Sequence, residues 1–214
     1  GAKATRTFAL IGDSHASHWR AALRPIALRR NWRGLSIARS HCPLAGGETD
    51  LPEPDRSECS SWRRQVPRWL SRHPEIDTVF VAQFEGADAT AEDYADAWRG
   101  LPDSVRRIYV IRDNPQMLSR GRTLDCVQKA MEEGRSPVRD CRRPRADALP
   151  PDPAAEAATR TPRAVLVDLT DRFCDERWCP PVIGGALVYK DANHITSVYG
   201  ATLAPYLERE LRVE

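Results

Sequence analysis

Short apolar runs alternate with segments of helical spacing along the 214-residue chain. The first run, Thr7-Phe8-Ala9-Leu10-Ile11, is stopped by Gly12. A run this short, bounded by a turn residue, predicts a strand buried on both faces. Asp13 or Ser14 then supplies a cap for a helix that carries Trp19, Leu23, Ile26 and Ala27 at helical spacing. Asn31 to Gly34 read as a break, and Leu35-Ser36-Ile37-Ala38 as a second strand. A Pro-, Gly- and Asp-rich loop from Cys42 to about Ser57 precedes Trp62, Val66, Trp69 and Leu70, again spaced as in a helix. Thr78 to Ala82 predicts a third strand, Glu92 to Trp98 a helix, and Arg107 to Ile111 a fourth strand. The polar stretch from Gly134 to Arg163 reads as an ordered loop with one short helix around Ala154 to Ala158. A fifth strand, Ala164 to Leu169, and a final helix from about Ser197 to Leu211 complete the pattern. Alternation of this kind predicts an α/β fold in one domain over residues 1–214. Its form is a three-layer α/β/α sandwich around a mainly parallel five-stranded sheet, flavodoxin-like in outline.

Composition narrows the class. The chain has 32 Lys+Arg against 30 Asp+Glu, a net charge of +2 that excludes a strong electrostatic footprint for nucleic acid. No run approaches the ~18 consecutive apolar residues of a membrane span. With 41% hydrophobic and 29% charged residues the chain is not of disordered composition. It is long enough to close a core without metal or oligomer, so a monomer is expected. Lys3, Lys129 and Lys190 are the only lysines, and the abundant arginines read as a solvated shell. The start, Gly1-Ala2-Lys3-Ala4, has no apolar leader and reads as an excised domain or a mature form. Six cysteines raise an oxidising compartment, and on their own they allow 15 disulfide connectivities. The absence of Cys-x-x-Cys or Cys-x-x-His spacing speaks against zinc, and no metal or cofactor is expected.

In open parallel sheets, sites form beyond the carboxyl ends of the strands. After the first strand stands Gly12-Asp13-Ser14-His15-Ala16. A serine there sits at the positive end of a helix, where a developing alkoxide is favoured, yet Asp13 and Ser14 are equally ordinary helix caps. Before the last helix stands Asp191-Ala192-Asn193-His194, in which a carboxylate and an imidazole three apart can face one way. Either fragment alone is open to both readings.

Together they are the two ends of the pattern of the SGNH (GDSL-like) hydrolase superfamily, which this sequence resembles from Phe8 to Leu211. It is similar in particular to the extracytoplasmic SGNH domains fused behind membrane-bound acyltransferases of family 3. The narrower resemblance rests on Gly12 to Ala16, Cys42-Pro43, Cys174, Trp178-Cys179-Pro180 and Tyr189 to Thr196. It implies that Ser14 is the nucleophile that takes an acyl group, His194 the general base and Asp191 the residue orienting the imidazolium. The Ser14 backbone N–H would be one oxyanion donor. The superfamily's Gly after the second strand and Asn after the third are replaced here by Arg39-Ser40-His41-Cys42 and Gln83-Phe84-Glu85-Gly86. The Ser40 backbone N–H and the Gln83 side-chain amide are the candidate substitutes, each such donor contributing roughly 3 kcal/mol in a working site.

Local closure, supported by the resemblance, pairs Cys42 with Cys59, Cys126 with Cys141 and Cys174 with Cys179. The resemblance further implies an O-acyltransferase domain that carries an acyl group, by analogy acetyl, on serine and passes it to a cell-surface carbohydrate hydroxyl. The acyl donor would be delivered by a fused transmembrane acyltransferase domain, on the extracytoplasmic side of a bacterial membrane. A carbohydrate O-acetyl esterase and a non-catalytic, glycan-presenting module remain open alternatives. His15 and His18 are expected in surface or helix-start roles, and His41 and His73 show no partner pattern. Trp62 and Trp69 read as core, while Trp19 and Trp178 are candidate glycan platforms near the site.

Overall fold

The structure, a computed structural model, describes residues 3–47, 49–86, 89–118 and 122–211. The reading of Gly1-Ala2 as an excised end lies outside them. The elements run β1 (Arg6–Gly12), α1 (Ser14–Arg30), β2 (Trp32–Ala38), α2 (Asp55–Leu70), β3 (Ile76–Ala82), α3 (Ala91–Arg99) and β4 (Arg107–Ile111). Then come α4 (Arg122–Glu132), α5 (Pro137–Asp140), β5 (Arg143–Pro144), α6 (Arg145–Ala148), α7 (Pro153–Arg160) and β6 (Ala164–Val167). After a 3₁₀ turn follow β7 (Trp178–Cys179), β8 (Val182–Ile183), β9 (Ala186–Leu187), α8 (Ser197–Thr202) and α9 (Ala204–Glu210).

Five strands form a parallel sheet in the order β2-β1-β3-β4-β6, as the alternating pattern predicts. The chain winds outward from β1 to β2, then crosses to β3 and winds the other way. That reversal opens a crevice beyond the carboxyl ends of β1 and β3. Successive strand residues serve opposite cores, because side chains alternate across a strand. Phe8, Leu10, Phe80, Tyr109 and Val167 pack with Trp19, Leu23 and Ile26 of α1 and with Tyr199, Leu203 and Leu207 of α8 and α9. Ala9, Ile11, Val79, Val81, Ile108 and Val110 pack with Val66 and Leu70 of α2, Tyr94 and Trp98 of α3 and the alanines of α7. The three predicted cysteine pairs are disulfides, and among the described residues no cysteine is free.

Several boundaries depart from the pattern. The break predicted for Asn31 to Gly34 is a single residue: Asn31 caps α1 in the left-handed region, and β2 begins at Trp32, opposite Arg6. Gly34 lies inside the strand for a packing reason, since a Cβ there would stand 2.6 Å from Phe8 Cζ. The fifth central strand ends at Val167 rather than Leu169, because the Asp168 carboxylate turns back to accept the Thr170 amide at 2.9 Å. The final helix is two helices, joined at Leu203 with Pro205 in the first turn of the second. Before the polar stretch stands α4, a helix that the hydrophobic pattern does not predict. It carries Val127 and Ala130 against the Cys126–Cys141 bridge, Val182 and Leu187, a small cluster separate from both main cores.

Candidate functional site

Ser14 is the first residue of α1, directly beyond the carboxyl end of β1. The turn that presents it depends on Gly12, whose φ is +147° and whose Cα lies against β3 so closely that a Cβ would overlap the Ala82 carbonyl oxygen. Asp13 caps the helix: one carboxylate oxygen accepts the His15 amide at 2.8 Å and the other the Phe84 amide at 2.9 Å. One buried side chain thus ties the helix start to the end of β3.

His194 reaches Ser14 from 180 residues away, and a small hairpin delivers it. Tyr189 bridges Ile195, Lys190 N–H donates to the His194 carbonyl, and Asp191 to His194 form the tip. The Asp191 carboxylate accepts the amides of Asn193 at 3.0 Å and His194 at 2.8 Å, so its orientation is set locally. The Met117 amide bonds the Ala192 carbonyl at 2.6 Å, and Asn114 Nδ2 donates to the Asn193 carbonyl at 2.7 Å. The tip is therefore anchored to the segment after β4.

At this junction His194 Nε2 lies 2.8 Å from Ser14 Oγ, and Nδ1 lies 3.0 and 2.9 Å from the two Asp191 oxygens. Both Asp191 oxygens are acceptors, which assigns the proton to Nδ1 and leaves the Nε2 lone pair for the serine hydroxyl. Burial, with a smaller contribution from the neighbouring His15, holds His194 below the ordinary imidazole value of 6.5 against the opposing pull of Asp191. Burial pushes Asp191 upward, but the amides and imidazole of His194 outweigh it and keep this carboxylate below its usual range. The arrangement provides a hydroxyl, a neutral base able to accept its proton, and a carboxylate facing the charge that would form.

A cleft of ≈ 340 Å³ opens over Ser14 and His194, walled by Asp13, His15, Asn193, Phe84, Gly86 and Ala89. Its far side is the loop closed by the Cys42–Cys59 bridge, which contributes His41, Pro43, Thr49, Asp50 and Leu51. Arg63 of α2 pins that loop, donating to the carbonyls of Pro43 and Gly47 at 3.0 Å each. The loop is also tied to α3 by the Gly46 amide on the Asp93 carbonyl at 2.7 Å.

The other residues singled out by sequence are placed less simply. Ser40 is exposed and borders a neighbouring depression with Arg39, His41, Leu51 and Asp55, while the cleft wall at this loop is His41. Gln83 is buried, with neither amide atom hydrogen-bonded, and lies off the cleft wall. The Ser14 N–H donates to no other described group and sits at the positive end of α1. Trp19 is wholly buried in the core and cannot be a glycan platform, and Trp178 is covered by Arg142, 4.1 Å above its ring. His73 stacks on Trp69 and pairs with Glu75.

His15 and His18 are buried rather than superficial, because α1 turns its first two turns toward the crevice. The His15 ring lies 4.9 Å from both His194 and His18, centroid to centroid, and 5.2 Å from Phe84. Its Nδ1 is 2.5 Å from Asp113, a carboxyl group just past β4 that sequence reading passed over. The same strand-end rule that singled out Gly12-Asp13-Ser14 would have found it. Among the described residues no cluster of His, Cys, Asp and Glu forms a metal site.

Comparison with known proteins agrees with this fold. The family model described as "SGNH domain (fused to AT3 domains)" matches residues 1–209. The chain superposes on the lipopolysaccharide acetyltransferase periplasmic domain of Salmonella ser. Paratyphi A with a TM-score of 0.75 at 12% identity, over 98% of this chain and 84% of that one. It superposes on a family two carbohydrate esterase from Clostridium thermocellum with a TM-score of 0.51 at 16% identity, over 98% of this chain and 64% of that one. No curated protein matches the sequence at a significant level.

Proposed function

The chain belongs to the family of SGNH domains fused to AT3 domains, and from that premise we propose that it is a serine-dependent O-acyltransferase domain acting on carbohydrate. The observation that carries the proposal is the hydrogen-bonded run from Ser14 Oγ through His194 to Asp191 at the floor of an open cleft. Ser14 Oγ attacks the carbonyl of an acyl ester while His194 Nε2 takes its proton. The new Oγ–carbonyl bond forms, the ester C–O bond breaks, and His194 returns the proton to the departing oxygen. Asp191 stabilises the imidazolium formed between these steps. A sugar hydroxyl then repeats the sequence in reverse, giving its proton to His194, taking the acyl group and releasing Ser14. Acetyl is the acyl group favoured by the likeness to a lipopolysaccharide acetyltransferase domain.

The Ser14 N–H is the oxyanion donor this geometry favours, since it stands at the helix start with no competing partner among the described residues. The acceptor is a cell-surface glycan, and the acyl donor comes from the fused membrane domain implied by the family. Three disulfides favour an extracytoplasmic site of action, where thiols stay oxidised. Among the described residues no helix is long and apolar enough to cross a membrane. The test is covalent labelling with a serine-directed fluorophosphonate, followed by acetyl transfer from 4-nitrophenyl acetate to an oligosaccharide, read by mass spectrometry. Labelling that Ser14→Ala abolishes is the expected result. A folded sample that stays unlabelled at neutral pH yet binds glycan would replace this reading with that of a glycan-presenting module.

A further inference from the structure

A second chain of titratable groups runs behind the first, and the acyl-transfer chemistry does not use it directly. His15 follows Ser14 on α1, and its Nδ1 meets Asp113 Oδ1 at 2.5 Å. The Asp113 carboxyl is buried and also accepts the amides of Asn114 at 2.9 Å and Glu85 at 3.1 Å. The bond from its own amide places Glu85 beside Asp113, whose carboxyl group pushes that of Glu85 upward. Two neighbouring buried carboxyl groups resist being ionised together. Glu85 Oε1 accepts the Gln116 side-chain amide, whereas Oε2 is buried without a hydrogen-bond partner among the described residues. A carboxylate oxygen buried without a donor is costly, so this lone oxygen favours the protonated form of Glu85.

We propose that Glu85, as a neutral acid, together with Asp113 and His15, forms a buried positioning chain that holds both partners of the Ser14–His194 hydrogen bond in register. The geometry gives it two handles. His15 is covalently next to Ser14, so fixing its ring fixes the first turn of α1. The same ring lies 4.9 Å from the His194 ring, so it also sets how far that imidazole can tilt. Asp113 further orders the Asn114 amide, and the Asn114 side chain holds the Asn193 carbonyl of the hairpin tip. One carboxyl group thus reaches the nucleophile through His15 and the base through Asn114.

Burial is what favours the neutral forms in this chain, while the carboxylates nearby pull His15 toward its charged form. Asp13 faces these groups from the turn before α1, Asp152 from the start of α7, and Asp191 and Lys190 from the hairpin. His18 of α1, Tyr94 of α3 and Tyr189 complete the surroundings. Burial, with Asp113 beside it, pushes Glu85 up to about 9, and burial with Asp152 and Asp13 nearby pushes Asp113 up to about 8. Burial likewise holds His15 below its ordinary value. A neutral His15 matters for the chemistry, because an imidazolium there would oppose proton transfer to His194.

This inference rests on the acyl-transfer reading, and the experiment separates the two. Hydrolysis of 4-nitrophenyl acetate is followed from pH 5 to 10 for the unaltered chain and for Asp113→Asn, His15→Gln and Glu85→Gln, with a thermal melt of each. Asp113→Asn and His15→Gln are expected to lower kcat by about 10- to 100-fold, the scale of a misplacement near 1 Å, with KM within about twofold. Glu85→Gln, which keeps this buried position uncharged at every pH, is expected to retain neutral-pH kcat within about twofold and to lose the decline above pH 8. Proton NMR supplies an arm that needs no turnover. The short His15–Asp113 bond should give a far-downfield imidazole N–H, lost in Asp113→Asn and kept in Glu85→Gln, and its loss should move the His194 ring resonances. A folded Asp113→Asn with unaltered kcat, or with unmoved His194 resonances, overturns the positioning chain. An unaltered chain that neither labels nor turns over overturns the acyl-transfer reading instead, and leaves the NMR arm to decide this one.

Discussion

Replacing Gly12 by alanine tests how the fold delivers Ser14. Gly12 is at φ +147°, a region that side chains avoid, and an added Cβ would overlap the Ala82 carbonyl oxygen while standing 3.1 Å from Ala16 Cβ. Strain of this kind costs of order 1–3 kcal/mol before the overlap is relieved. Relief requires the end of β1 and the end of β3 to part by about 1 Å, and misplacement on that scale costs on the order of 100-fold in rate. The parting also pulls Phe84 from Asp13, whose carboxylate holds the helix start. The expected outcome is a lower melting temperature, a kcat/KM for 4-nitrophenyl acetate down about 100-fold, and slowed fluorophosphonate labelling of Ser14. Gly134→Ala is the control, since Gly134 has φ +65° and open space around its Cα, so it carries backbone strain without overlap. It should lower stability by roughly 1 kcal/mol and leave the rate unchanged. A Gly12→Ala protein with unaltered rate and melting temperature would refute the link from strand contact to the position of Ser14.

Further predictions concern pH and cross-links. Because burial and His15 hold His194 below 6.5, and only its neutral form accepts the serine proton, esterase activity should fall as pH drops through a midpoint below 6.5. A pH–rate profile with its acid limb above 7 would contradict that assignment. Glu85 is raised from 4.5 to about 9 in the folded chain, so the folded state holds a proton the unfolded state releases across this window. Stability should therefore decline as pH rises from 4.5 to 9, and Glu85→Gln should flatten the decline in thermal melts taken across it. Removing the Cys42–Cys59 bridge with paired serines releases a loop of 17-residue separation, for which chain entropy gives about 3 kcal/mol. Because that loop is the far wall of the cleft, KM for an oligosaccharide acceptor should rise more than KM for 4-nitrophenyl acetate. Equal changes in both would show that the loop does not meet the glycan.

Much of the framework was legible from neighbouring residues alone. Thr7 to Ile11, Thr78 to Ala82 and Arg107 to Ile111 became central strands because buried strands need short apolar runs, a signal that survives without tertiary context. The cap at Asp13 and the pairing of Ser14 with Asp191 and His194 were likewise readable, the latter through resemblance to a known pattern. Gly34 misled because its role is set by the Phe8 ring on the next strand, and α4 escaped because its few apolar residues pack on a disulfide rather than a sheet.

What local pattern could not decide is what stands beside what. The strand order β2-β1-β3-β4-β6 brings the ends of β1, β3 and β4 into one crevice, so Ser14, Glu85 and Asp113 meet across separations no periodicity records. Burial of His15 and His18, the placing of Ser40 and Gln83 off the cleft wall and the enclosure of Trp19 follow from that assembly. Hydrophobic spacing is a property of a few consecutive residues, whereas a charge environment sums over everything within a few ångströms. The sequence by itself therefore determined the central strands and pointed to Ser14, Asp191 and His194, and the tertiary structure decided which groups stand around them.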